Sequence, residues 1–313
     1  MNKTAFFKAS TGTLEEITNL FSFVWPTAAA MWNLRWQVAG FLEAVPKASA
    51  QDLQDRFVLG SGIRRAGNLK GACIQQSWGA QQLMFAKFLL IDLCALYESW
   101  IGQVLNSLAV ADSRAEKELQ FPTTQRGGVR HAIQRLTSSE SSVIRHTFYP
   151  QLARSPKCNL NELDPLLHCY RYFKESRNCI AHAGGICDQR TADAFAEFAR
   201  VASVTQMGVR EVPEHVAPVV GQPIQMPLRG VVGFSDVVLR IIWTLDAELS
   251  RSAGAERHLS ERWTRSNPGG TVLPVKPADR RDRIARMAAK AGLPRPQKTD
   301  QLEAWLLRNG LVR

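Results

Sequence analysis

No two of the six cysteines (Cys73, Cys94, Cys158, Cys169, Cys179 and Cys187) form a CxxC pair, and several sit inside apolar helical patterns. The residues therefore read as reduced cytosolic thiols rather than as a disulfide framework. Cys169, Cys179, His182 and Cys187 lie ten, three and five residues apart, which matches no zinc-ligand spacing, so no metal and no cofactor is expected. P-loop, Gly-x-Gly-x-x-Gly and Gly-x-Ser-x-Gly strings are missing as well. Nucleotide hydrolysis, dinucleotide redox chemistry and serine hydrolysis are left without sequence support. The start of the chain lacks a charged n-region followed by a clean apolar core, so no secretory leader is expected. Its longest uncharged run, Ile17 to Leu34, is broken by Asn, Thr and Pro26, and reads as an amphipathic segment packed on the protein rather than a membrane span. No long repeat or heptad pattern is present.

Acidic residues are also in deficit, and the formal charge is +11. The stretch from Arg251 to Arg313 holds 14 basic and 6 acidic residues, so most of the excess lies in the last fifth of the chain. Such a segment favours polyanions: RNA, DNA or anionic lipid, with an ordinary solvated surface as the plain alternative.

Four regions follow from the pattern. Residues 1–60 form an aromatic-rich helical segment (Phe21, Phe23, Trp25, Trp32, Trp36, Phe41) that ends near Pro46. Residues 61–250 form a helical domain. Within it, Ala80 to Ala109 is apolar on nearly every face and predicts a central helix whose acids, Asp92 and Glu98, need partners. Further helices are expected over Val129–Leu136, Pro165–Ala183 (with Asp164 as its cap and Gly184-Gly185 as its stop), from Thr191, and over Phe234–Leu249. The Val-, Pro- and Gly-rich interval Val209–Val232 reads as a small β-hairpin. Residues 251–277, rich in Ser, Gly, Arg and Pro, read as a linker, and 278–313 as a basic two-helix module too small to be stable unless it docks. In that module Arg280, Arg281, Arg283, Arg286 and Lys290 offer a basic face for RNA or DNA phosphates, a docking tail for a protein subunit being the other reading. Its second helix is similar to small helix–extended-loop–helix folds of the SAP or LEM kind.

The chemistry-bearing string is Arg177-Asn178-Cys179-Ile180-Ala181-His182. Leu166, Tyr170, Phe173, Ile180 and Ala181 form an apolar stripe on its helix, and Arg177 falls within that stripe. A guanidinium there is costly unless paired with a carboxylate, for which Glu98 is the expected partner, or aimed at a phosphate. His182 is about 140° around an ideal helix from Arg177, whereas Asn178 and His182 share a face. Its place in the last turn, at the negative end of the helix dipole, suits an acid/base group. RNA carries its own nucleophile, the 2′-hydroxyl. A base or acid at that oxygen and at the leaving 5′-oxygen, with cationic donors at phosphorus, is therefore a sufficient nuclease. The other five histidines, at 131, 146, 168, 215 and 258, read as ordinary surface or helix residues.

The string Arg-Asn-x-x-x-His resembles the R-[N/H/Q]-x3-H signature of the HEPN superfamily, as does its setting: late in a helix, before glycines, with an earlier apolar helix carrying a Glu (Leu96-Tyr97-Glu98-Ser99-Trp100). The resemblance spans about Ala80 to Leu249. It implies an all-α antiparallel bundle, a homodimer with a composite site, and metal-independent RNA cleavage in a toxin or antiviral defence setting. Arg177 and His182 would be catalytic and Asn178 supporting, in a cytoplasmic protein restrained by an antitoxin or regulatory subunit and not bound to a membrane. The alternative expectation is a non-catalytic scaffold on the same fold, with a structural Arg177–Glu98 pair and a solvent-facing His182.

Overall fold

A computed structural model describes residues 4–62, 68–125, 127–268 and 271–313. The chain is mainly helical, 68% of it, with no strand among the described residues. The expected boundary at residues 60 and 61 adjoins 63–67, which lie outside the described residues.

Three helices make the centre. α1 (Lys8–Ala44) is a single helix that runs on through Pro26, and α2 (Ala50–Phe57) follows it behind a capping box in which Ser49 and Asp52 bond each other's backbone amides. α3 (Trp78–Ser107) buries Leu89, Leu90, Leu93, Tyr97, Trp100 and Val104. Such all-round apolarity also gives α3 the length and hydropathy to cross a membrane, yet half of its most apolar window is buried inside the protein. Its Asp92 faces solvent and needs no partner, unlike the interior acid expected there. α4 (Ser113–Glu118), α5 (Val129–Leu136), α6 (Ser142–Thr147) and α7 (Tyr149–Ala153) are short helices between α3 and α8 (Leu163–His182). α9 (Gln189–Val201) and α10 (Val204–Met207) precede α11 (Leu228–Ser250), whose residues 241–250 are all buried.

An aromatic ladder fixes how α3, α8 and α11 meet. Trp100 stacks on Tyr97, Tyr97 meets Tyr170 edge-on at 4.6 Å, Tyr170 stacks on Phe234, and Phe234 stacks on Phe173 at 4.5 Å. Offset and edge-on pairs of this kind stabilise beyond the apolar area they bury.

Two expectations change. Of the interval 209–232, residues 209–227 are irregular and tied down by single bonds, among them Cys187 N–H to the Gln222 carbonyl and Ile224 N–H to the Gly185 carbonyl, with one isolated bridge, Ile186 to Pro223, and 228–232 already belong to α11. Pro213, Pro218, Pro223 and Pro227 remove the amide donors that a hairpin ladder requires. Gly230 then opens α11 where the coil passes so close that a Cβ would meet the Glu214 carbonyl oxygen. The stretch 251–277 is not simply a linker either. α12 (Ala255–Ser266) lies in it and buries Ala255, Leu259 and Trp263, a spacing of four that the surrounding polar residues obscure.

α13 (Pro277–Lys290) and α14 (Thr299–Arg308) dock on this frame, with Ile284, Met287, Leu302 and Leu306 in the main core and Trp305 Nε1 donating to Glu256. Arg262 on α12 donates to the Ala291 and Gly292 carbonyls at the end of α13 and to the Phe6 carbonyl. Phe6 and Phe7 are fully buried, and both amides donate to Asp246 on α11, at 2.7 and 3.0 Å. The outer half of α1 leaves the main core. With α2 and the wide turn Gly71–Gln75 it forms a second small core around Val38, Leu53 and Cys73.

Burial pushes the Asp246 carboxyl up to about 6, against the Ser10 hydroxyl, the two amides and Arg262, which all favour the ion. Asp246→Ala is expected to destabilise the chain by roughly 2–4 kcal/mol, read by urea denaturation, because buried donors lose their acceptor. A raised folded-state value means that the carboxyl contributes stability at low pH that is lost as pH rises towards 6. The stability of wild type minus that of Asp246→Asn should therefore fall between pH 4 and 6. The opposite contribution of His258, held down to about 4 by burial and Arg262, is common to both proteins and cancels.

Candidate active site on α8

The ladder turns Tyr170 and Phe173 inward, and this sets where every polar group of α8 points. Lys174 and Arg177 emerge towards α3. Arg171, Glu175, Asn178 and His182, spaced four, three and four, form a second row along the helix. At the end, the amides of Ala183 and Gly185 both donate to the Cys179 carbonyl, and Gly184 and Gly185 take left-handed conformations (φ of 61° and 81°) that stop the helix directly after His182. The start differs from expectation: a turn at Leu160–Glu162 leads straight into the helix at Leu163, and Asp164 pairs with Arg130 rather than capping.

Arg177 Nη2 lies 2.5 Å and Lys174 Nζ 2.8 Å from the same oxygen of Glu98. The side chain of Arg177 is 16% exposed and that of Glu98 33%. Two cations share one carboxylate, which leaves the node with a residual positive charge at the edge of the core. Arg177 Nε is buried with no hydrogen-bond partner among the described residues. The buried Cys94 thiol is pushed up to about 12 by burial, against the pull of Arg177, and is thereby an inert neighbour rather than a nucleophile. Asn178 donates to Glu175 at 3.2 Å. His182 is exposed, and among the described residues no hydrogen bond or ion pair joins it to Arg177 or to any other side chain.

Sequence reasoning missed what lies beside this node. Phe121, in the segment between α4 and α5, has the Arg171 guanidinium 5.6 Å and the Lys174 ammonium 5.3 Å from its ring centre. Lys174 also donates to Gln120. A cleft of about 530 Å³ is lined by Glu98, Glu116, Lys117, Phe121, Lys174 and Arg177. A neighbouring cleft of about 540 Å³ shares Lys117 and Phe121 and adds Arg114, Glu118, Arg171 and Glu175. Glu118, 1% exposed, accepts from Arg135 and Arg114; burial pushes its carboxyl up, but the two guanidiniums outweigh that and hold it below the ordinary range. The one sequence signal was the i, i+3, i+6 run Arg171, Lys174, Arg177, which gives no hint of Phe121, fifty residues upstream of the first of them.

The basic residues of α13 divide. Arg280 is engaged with Glu303 at 2.7 Å and with the Val275 carbonyl, so it ties α13 to α14. Arg281, Arg283, Arg286 and Lys290 are exposed. Among the described residues, no group of three His, Cys, Asp or Glu side chains is arranged to hold a metal ion. Cys179 instead packs against the Thr191 hydroxyl, and the Cys187 thiol donates to the Asp188 carbonyl.

Comparison with profiles of protein families, with curated proteins and with solved structures finds no match for this chain.

Glu98→Ala strands two mostly buried cations. It is expected to cost roughly 1–3 kcal/mol, discounted from a fully buried pair because Glu98 is partly solvated. Chemical denaturation reads the loss, and Glu98→Gln should fall between the alanine variant and wild type.

Proposed function

We propose that this protein is a HEPN-like, metal-independent endoribonuclease in which Arg177 and His182 are catalytic and Asn178 supports them. One observation carries the reading: an exposed, unengaged His182 closes the same helix on which Arg177 forms, with Lys174 and Glu98, a node of residual positive charge beside an open cleft. In this mechanism His182 moves the proton between the 2′-hydroxyl or the leaving 5′-oxygen and water, while Arg177 meets the charge that develops on phosphorus. The products are a 2′,3′-cyclic phosphate and a 5′-hydroxyl. About 140° of helix separates the two side chains, which favours a homodimer whose copies pool Arg177 and His182 across a two-fold axis. Free ribonuclease activity is toxic, so the setting proposed is a cytoplasmic toxin or antiphage effector, restrained by an antitoxin or regulatory subunit and independent of membranes.

The Arg177–Glu98 contact at 2.5 Å favours a second reading, a non-catalytic helical scaffold that binds nucleic acid or a protein, in which Arg177 is structural. One assay separates the two. The purified protein should cut single-stranded RNA in EDTA, and His182→Ala should lower the rate at least about 100-fold while leaving the helical content and sedimentation unchanged. Equal cutting by that variant excludes the enzyme. Mixing inactive Arg177→Ala and His182→Ala chains should restore part of the activity if the site is shared between copies; no recovery after subunit exchange counts against the composite site.

A further inference from the structure

The two clefts beside α8 share Lys117 and Phe121 as a common wall and so adjoin along the helix, together making a trough in two parts. It is bordered by Arg171 and Glu175 at one end and by Lys174 and Arg177 at the other. Its charged groups are not equivalent. Arg114 and Glu118 are bonded to each other, Lys174 and Arg177 share Glu98, and Glu175 accepts from Asn178. Lys117 and Arg171 have no carboxylate partner among the described residues, and they stand on opposite walls, one on α4 and one on α8. Phe121 holds Arg171 and Lys174 over its ring, so these long side chains are ordered before any ligand arrives.

We propose that this trough seats the RNA strand adjoining the cleaved phosphate, with Lys117 and Arg171 on flanking phosphates and Phe121 as the platform that orders Arg171 and Lys174. The inference rests on the ribonuclease reading and names the substrate form: a single strand. Glu116 and Glu175 interrupt the positive surface. It therefore offers two separate phosphate points rather than the continuous basic face that a rigid duplex with two phosphate rails would engage. A threaded single strand can place one phosphate at each point and bring the next to Arg177. Arg171, Lys174 and Arg177 follow one another at successive turns of α8 along the two clefts, which supplies that path.

The test uses the full chain carrying His182→Ala, so that RNA stays intact, and a labelled single-stranded oligoribonucleotide alongside its duplex. Lys117→Gln and Arg171→Gln should each weaken single-strand binding about 5- to 20-fold. Each should also flatten the dependence of log K on log salt by about 0.7 for every phosphate that the variant no longer neutralises. Lys117 is exposed, so its variant tests the trough even if Arg171→Gln perturbs folding. Unchanged affinity and salt slope in Lys117→Gln and in a folded Arg171→Gln overturn the proposal, as does equal affinity for the duplex. Cleavage in EDTA by chains with His182 intact separates the two claims. Cutting that needs His182 but is indifferent to Lys117 and Arg171 overturns the trough and leaves the enzyme standing. Trough-dependent binding without cutting by the wild type supports the trough and removes the enzyme.

Discussion

The ladder of Trp100, Tyr97, Tyr170, Phe234 and Phe173 is the contact on which the rest depends, because it fixes the rotation of α8 about its own axis. A helix has one such degree of freedom, and two inward rings on adjacent turns remove it. Once Tyr170 and Phe173 are inside, residues one and four positions beyond Phe173 must leave the core on the α3 side, and Lys174 and Arg177 converge on Glu98. The second row, through Asn178 to His182, is displaced around the cylinder by the same geometry. The divergence of Arg177 from His182 is set by their five-residue spacing on one helix, and core packing decides which of the two faces the bundle.

The node at Glu98 also shows how a half-buried carboxylate can serve two ends. It satisfies two cations that desolvation would otherwise penalise, yet one negative charge cannot neutralise both. The node is therefore a fixed, partly desolvated positive charge whose side chains are already ordered. The inert Cys94 thiol and the rings behind the node keep water from solvating it on the core side.

Legibility in the sequence followed the range of the forces involved. The ends of α5, the stop at Gly184-Gly185, and the helices at 277–290 and 299–308 were readable, since caps, glycines and helical periodicity act within a few residues. The β-propensity of Val209–Val232 does not yield a hairpin because four prolines withhold the amide donors that a ladder needs. α12 was hidden because three apolar residues among Arg, Glu and Ser look like a solvated segment, and their burial depends on separate helices, α3 and α13, that no local pattern reveals. Asp92 was misplaced for the converse reason: α3 is apolar on all sides, so its sequence does not say which flank the bundle covers, and Phe88 at 67% exposure lies on the uncovered one. Phe121 could not be found from the motif at all, since nothing local links a loop aromatic to cations fifty residues later.

The bond from Phe6 to Asp246 spans 240 residues, and it has a consequence in time. At a synthesis rate of 5–20 residues per second, the first turn of α1 leaves the ribosome about 10–50 s before its acceptor on α11 exists. During that interval α3 and α8 can already pair, while Phe6, Phe7 and the aromatic flank of α1 have nothing to close upon. The order of translation therefore leaves both the ladder that orients α8 and the N-terminal closure incomplete until Phe234 and Asp246 of α11 emerge, and the aromatic start of α1 stays within reach of chaperones and proteases until then.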